Sequence, residues 1–296
     1  MFSILIPTLN NFKYLEICIN SILKNSNLNN EIIVHVSEGK DETLFFLKNK
    51  KINFSYTKYN SGICEGLNRA AELSSKNYLL YSHDDFYFCP NWDVILKNEI
   101  NSIGHDQFYL SGTMMHKGQI KCYYGNNYKN FNEIKLLENY KNHNYYNFQG
   151  STWAPSVVSK KVWNKVNGLS EEYFPGSGSD PDFNMKLWRQ GIRIFKGINN
   201  FKVYHFGSKV LRNYKKNNIN KSYIGHGSKS GKIFLLKWGI SIKFFKKYYM
   251  RSNSIYNGKL TMPRKNFFYY IDLVKCKLNL LYLHIVYKNN EYGKIK

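Results

Sequence analysis

The sequence predicts an α/β protein: a Rossmann-like, mostly parallel sheet with helices on both faces, followed by a basic, aromatic-rich, helical C-terminal extension. Short apolar runs alternate with segments of helical spacing along the amino-terminal part, the pattern of strands joined by crossover helices. The charge then divides the chain. Residues 209–296 hold 20 of the 43 Lys and Arg but only two acidic residues, Asp272 and Glu291, so +18 of the net +23 lies there. We therefore read residues 1–208 as one unit and 209–296 as a second with a different job, the basic part being suited to a polyanion or an anionic membrane surface.

In chain order, FSILIPT reads as a buried strand ending at Pro7, and Lys13 to Lys24 spaces Leu15, Cys18, Ile19, Ile22 and Leu23 as a helix does. EIIVHVSEG is a second strand and INFSYTKY a third, and GICEGLNRAAELSS is a helix leading into the strand YLLY. After Asp85 the pattern loosens, with many Asn and Tyr between Tyr123 and Phe148, so long loops or short antiparallel strands are expected there. SDPDFNMKLWRQG reads as a helix with Ser179 or Asp180 as its cap, Pro181 in its first turn and Gly191 at its end. Beyond Lys209, stretches such as KIFLLKWGISIKFFKKYY read as amphipathic helices.

Composition excludes several classes. At 43% hydrophobic and 17% aromatic the chain can bury a core. There is no GxGxxG after the first strand and no GxxxxGK[ST], so neither a dinucleotide fingerprint nor a P-loop accompanies the sheet. The five cysteines form no CxxC pair and leave one over, which suggests neither a disulfide framework nor a zinc ribbon and fits a reducing cytosol. MFSILIPTLN has no basic leader, and the best candidate span, Phe267 to Tyr287, is interrupted by Asp272, Lys275 and Lys277. The expectation is a cytoplasmic protein, soluble or peripheral on the inner face of a membrane.

The stretch NYLLYSHDDFYFCPNW puts His83, Asp84 and Asp85 just past a buried strand. Adjacent carboxylates repel, and in a partly buried place their cost is offset by a cation or by solvent. Carboxyl ends of strands are also where open α/β sheets bind ligands. A solvated acidic turn is the alternative.

Taken in order, IPTLN, EIIVHVSEGKDET, YNSGICEGLNRAAE, SHDDFYFCPNW, VNGLSEEYFPG, SDPDFNMKLWRQG and VYHFGS resemble the family 2 glycosyltransferases, which have the GT-A fold. The resemblance spans roughly residues 2–208, and its strength is the order and spacing of weak motifs. It implies a nucleotide-diphosphate sugar donor and a divalent cation, Mn²⁺ or Mg²⁺, held by carboxylate oxygens to neutralise the leaving diphosphate. Asp85 matches the last Asp of the family's DxD and is the expected metal ligand. Asp84 takes the middle position, toward the ribose or a metal-bound water, and His83 replaces the first Asp. His205, in VYHFGS, matches a histidine beside the metal, although a lone His after an apolar strand also suits a core.

Asp180 matches the second position of the family's ED motif, with Ser179 replacing the Glu, and is the expected catalytic base. Its other reading is a plain helix cap, and Asp182 is the competing base. The donor would lie over Pro7, Thr8, Asn10, Glu38, Asn60, Gly62 and Asn68, with Gly62 letting backbone approach it. Trp153 would line the acceptor groove, or else pack in the core. The resulting expectation is an inverting, metal-dependent hexosyltransferase that uses a nucleotide-sugar, a UDP-sugar by preference, on a surface-glycan or lipid-linked acceptor in polysaccharide biosynthesis. The rival is a non-catalytic transferase-like fold that holds nucleic acid or another polyanion through its basic tail. Asp84, Asp85, Asp180 and His205 surviving together argue against that rival.

Overall fold

The computed structural model describes residues 1–150, 153–207 and 229–288, leaving the sequence-based reading of 209–228 and 289–296 outside the described residues. The amino-terminal half alternates as expected. It runs β1 (Phe2–Leu9), α1 (Phe12–Asn25), β2 (Glu31–Ser37), α2 (Thr43–Asn49), β3 (Asn53–Thr57), α3 (Gly62–Glu72) and β4 (Tyr78–Tyr81). The short α2 was not legible in advance, because its seven residues give only two turns of periodicity. There follow β5 (Phe86–Phe88), α4 (Trp92–Ile103), β6 (Phe108–His116), α5 (Glu133–Asn139), β7 (Phe148–Gln149), β8 (Ser156–Ser159), α6 (Lys160–Lys165), α7 (Ser179–Arg189) and β9 (Ile194–His205).

The strands form one sheet in the order β3-β2-β1-β4-β8-β6-β9-β5, with β7 paired to β9. From β3 to β4 every pair is parallel, as is β6 with β9, while β8 runs antiparallel between β4 and β6. The central parallel strands β1, β2 and β4 are near-continuously apolar and buried, as Ile4, Leu5, Ile6, Ile33, Val34, Leu79 and Leu80 demonstrate. Their carboxyl ends gather at one edge. Antiparallel β5 then lays Phe86 opposite His205, which brings the last residue of β9 back beside the end of β4.

The helix beginning at Ser179 is capped differently from the sequence-based expectation. Gly178, in the left-handed region at φ 87°, takes the cap position, and no side chain caps the helix. Ser179 Oγ instead donates to the carbonyl of Gly176 at 2.7 Å. Asp180 is thus free of the capping role and lies inside the first turn.

The described part of the extension is helical and shares the core of the sheet unit. It comprises α8 (Lys229–Trp238), a helical turn at Ile242–Phe244 that passes into a π-helical turn at Phe245–Met250, and the long α9 (Phe267–Lys288). Phe234, Phe244, Phe245 and Met250 are buried in the same cluster as Phe195 and Trp188. The connecting chain is stitched on through Gln149 N–H to Ser254 O, Tyr256 N–H to Asn147 O and Leu260 N–H to Arg193 O, each at 2.8 Å. Gly150 is required at this seam, since a Cβ there would sit 2.0 Å from the Met250 carbonyl oxygen. The apolar side of KIFLLKWGISIKFFKKYY therefore packs on protein. All five cysteines are free thiols, and among the described residues no helix is long and apolar enough to cross a membrane.

Candidate active site

The site is built at the carboxyl edge of the sheet, where β4 ends. Ser82 N–H still bonds Leu5 O at 3.0 Å, holding the chain in line with β1, and His83, Asp84 and Asp85 follow in the turn before β5. Asp84 is buried, and its Oδ2 accepts the Thr8 hydroxyl at 2.7 Å. Burial, and then the charge of Asp85, push the Asp84 carboxyl above its ordinary range. The middle acid of the motif is accordingly tied to the first strand through Thr8.

Asp85 is turned toward His205, with Oδ2 3.5 Å from Nε2, and Phe206 N–H donates to the Asp85 carbonyl at 3.1 Å. His205 Nδ1 lies 3.2 Å from the carbonyl of Lys117, which fixes the ring so that Nε2 faces the carboxylate. His83 completes the group. Its ring stacks on Phe86 at 4.9 Å, and Nε2 bonds the Tyr81 hydroxyl at 2.8 Å. One ligand atom from each of His83, Asp85 and His205 lies within 4.8 Å of the other two.

These three side chains fit a divalent cation. The donors are of ligating type, each imidazole is oriented through hydrogen bonding or stacking, and burial lowers the His83 pKa to about 4, leaving it a neutral ligand near pH 7. The site has Asp85 and His205 as expected. His83, expected only as a replacement for the first Asp of the motif, adds an imidazole to this group.

Asp180 opens the first turn of α7. Burial raises its pKa to about 7, and the positive charge of Lys246 opposes that rise. Burial, and then the negative charges of Asp180 and, more weakly, Asp85, push the Tyr81 hydroxyl well above its ordinary range. Asp182 has another role. It is fully buried and accepts bonds from Ser170 Oγ at 2.6 Å, Tyr173 OH at 3.2 Å, Trp238 Nε1 at 2.7 Å and Lys237 Nζ at 3.2 Å. With its oxygens occupied by these donors it has no lone pair directed at a substrate, which corrects its reading as a competing base.

The residues expected to hold the donor divide into two groups. Pro7, Thr8, Asn10 and Glu38 come together at the ends of β1 and β2. Asn10, at φ 46°, donates through Nδ2 to Glu38 Oε2 at 2.9 Å and accepts the Lys40 N–H at 2.8 Å. Lys40 Nζ pairs with Glu38 at 2.8 Å and holds that carboxyl below its usual range. Asn60, Gly62 and Asn68 instead organise α3. Asn60 Oδ1 accepts the Gly62 N–H at 2.9 Å. The space beside Gly62, at φ 71°, is filled by the 174–175 segment, since a Cβ would lie 2.8 Å from Phe174 Cδ2. Asn68 gives both ends of its amide to Leu169, at 2.9 Å each. The missing side chain at 62 thus admits the chain's own loop, a correction to its reading as a donor approach. The half-buried Trp153 stacks on Phe148 at 5.7 Å.

A mostly parallel sheet with an imidazole-carboxylate cluster at the carboxyl end of β4 matches the frame of the GT-A glycosyltransferases. The family model for glycosyl transferase family 2 matches residues 3–165, more than half of the chain, and the chain belongs to that family. A search of curated proteins returns no match. Among solved structures, S. aureus TarS 1-349 is similar at 16% identity and TM-score 0.52, over 69% of this chain and 60% of that one. TarS 1-349 in complex with UDP is similar at 17% identity and TM-score 0.53, over 69% and 59%. TarS 1-349 in complex with UDP-GlcNAc is similar at 13% identity and TM-score 0.54, over 98% and 74%. At these identities the likeness is one of fold, and in the first two the matched length is about 60% of the TarS chain.

Proposed function

We propose that the chain is an inverting, metal-dependent glycosyltransferase that moves a sugar from a nucleotide-diphosphate donor, a UDP-sugar, to a hydroxyl of a surface-glycan or lipid-linked acceptor. The observation that carries this reading is the meeting of one ligand atom each from His83, Asp85 and His205 within 4.8 Å of one another at the carboxyl end of β4. Asp180, whose pKa burial raises to about 7, is the candidate base in the first turn of α7. That TarS 1-349, which is similar in fold, was solved in complex with UDP and with UDP-GlcNAc supports the choice of donor.

A divalent cation held by His83, Asp85 and His205 would supply positive charge to the donor diphosphate and so favour its departure. The chain's own residues do the rest. Asp180 accepts the proton of the acceptor hydroxyl as that oxygen attacks the anomeric carbon, and the bond from that carbon to the nucleotide breaks on the opposite face. A carboxylate near pKa 7 is a stronger base than an ordinary Asp and still ionised in part at neutral pH. Thr8 fixes Asp84, and the Asn10, Glu38 and Lys40 group shapes the rim over which the nucleoside would lie. Two imidazoles with one carboxylate suit Mn²⁺ better than Mg²⁺, which prefers oxygen ligands and ordered water.

A panel of nucleotide-sugars, followed by nucleotide release with and without chelator, tests this reading. Release from a UDP-sugar, lost with EDTA and restored by Mn²⁺, is the expected result. Tight, salt-sensitive RNA binding with no release from any donor would favour the polyanion-binding alternative.

A further inference from the structure

The long helix α9 is docked by one side and bare on the other. Tyr269, Cys276 and Leu283 are buried against the protein, and Asp272 on the docked side is held by Lys247 Nζ and Tyr248 OH at 2.8 Å each. The opposite side is apolar and open to solvent. Phe267 is 74% exposed, Val274 56%, Leu278 61%, Leu281 57% and Ile285 58%. With the half-exposed Ile271 these residues repeat at alternating intervals of four and three, which sets them in one stripe along the helix. Phe268 and Tyr270, at 65% and 51%, and Tyr282, at 65%, widen the stripe on both shoulders.

The charges beside the stripe decide between occupants. Lys275 and Lys277 are exposed, one on each shoulder. Lys259, Arg264 and Lys265 are exposed just before the helix. The single acid of α9, Asp272, is already paired with Lys247 at 2.8 Å on the docked side, and Lys275, 3.5 Å from its other oxygen, stays largely exposed. A second copy of the helix would bring lysines and no carboxylate to meet Lys275 and Lys277, and the aromatic shoulders make the stripe wider than a two-helix seam. A surface that is apolar at depth and anionic at its rim complements every part of this arrangement: aliphatic residues inserted, Tyr rings at the boundary, Lys side chains reaching out to phosphates.

We propose that α9 is an in-plane docking helix for an anionic lipid surface, with Phe267, Val274, Leu278, Leu281 and Ile285 entering the acyl boundary and Lys275 and Lys277 at the headgroups. A helix that is docked on one side by the enzyme and inserted on the other lies in the interface and does not span it. The binding involves neither donor nor acceptor, so it stands or falls apart from the transfer reaction.

The test is co-sedimentation of the full chain with vesicles of phosphatidylglycerol and phosphatidylcholine, and with phosphatidylcholine alone. Binding to the anionic vesicles only, weakened by salt, is expected. Leu278→Asp with Leu281→Asp should lower it by roughly tenfold or more, and Lys275→Glu with Lys277→Glu by a similar factor. All four positions are exposed, and circular dichroism with nucleotide release verifies that each variant is folded. Binding that neither pair of substitutions changes, or no binding to anionic vesicles, overturns the proposal. So does a solution dimer, seen by sedimentation velocity, that Leu278→Asp with Leu281→Asp dissolves, because the face would then belong to a second copy.

Discussion

The indole N–H of Trp238 donates to Asp182 Oδ1 at 2.7 Å, joining the end of α8 to the first turn of α7. Lys237 reaches the same carboxylate at 3.1 Å, and Asp182 is fully buried. The helix that opens with the candidate base is thereby fastened to the basic extension. Asp182→Ala should leave Lys237, Trp238, Ser170 and Tyr173 without their acceptor, and removing one partner of a buried pair costs on the order of 3 kcal/mol. A lowered melting temperature, with transfer falling only as folded protein is lost, is expected. Unchanged stability with abolished transfer would return Asp182 to the chemistry.

Asp180→Asn keeps the size of the side chain and removes the proton acceptor. Transfer should fall by roughly 10²–10⁴, with donor binding and melting temperature retained. The wild-type rate should rise with pH through a midpoint near 7, because burial raises the Asp180 pKa to about 7 and the base acts only when deprotonated. Lys246 supplies the opposing positive charge. Lys246→Met should thus carry the midpoint to higher pH, which a pH profile of kcat reads directly. A midpoint that shifts downward in this variant would separate Lys246 from the base.

Three of the parallel strands, β1, β2 and β4, were legible because buried strands need unbroken apolar runs, and FSILI, EIIVHV and YLLY supply them between polar turns. The meeting of Asp85 and His205 was implied by the family resemblance alone, because it depends on the antiparallel register of β5 with β9, which no local pattern encodes. The docking of the extension was not legible for a related reason. Basic and apolar residues mixed along KIFLLKWGISIKFFKKYY suit a lipid surface and a protein surface equally, and burial of Phe234 and Phe245 is a property of the partner that receives them. Asn68 and Gly62 looked like ligand contacts because their tertiary neighbours, Leu169 and Phe174, lie about a hundred residues away.

His35 makes the acid side of the stability curve predictable. It is fully buried in β2, with Nδ1 2.8 Å from Ser55 Oγ and Nε2 2.9 Å from Ser61 Oγ, and burial, aided by the charge of Arg69, lowers its pKa from 6.5 to about 4. A histidine depressed by folding stabilises the native state above its unfolded pKa, and that stability drains away as pH falls from about 6.5 toward 4. The amount is on the order of 3 kcal/mol. His35→Gln can keep polar contacts to the serines without taking up a proton. Urea unfolding at several pH values should show the wild type losing stability relative to this variant between pH 6.5 and 4, and parallel curves would contradict the assignment.

His83 stands where the family motif has a carboxylate, and its ring belongs to the ligand cluster with Asp85 and His205. Imidazole favours Mn²⁺ and its later neighbours over Mg²⁺, whereas a carboxylate narrows that difference. His83→Asp restores the acidic pattern and should shift relative affinity toward Mg²⁺ by ~10-fold, while His83→Ala and Asp85→Ala weaken both ions. The stacking of His83 on Phe86 at 4.9 Å is lost in both variants of His83, so any difference between them in metal preference reports ligation and not packing. Calorimetric titration with each ion, in the absence of donor, measures this without reference to turnover. Equal Mn²⁺ and Mg²⁺ affinities in the wild type, unchanged by His83→Asp, would leave Asp85 and His205 as the ligands and His83 as a packing residue.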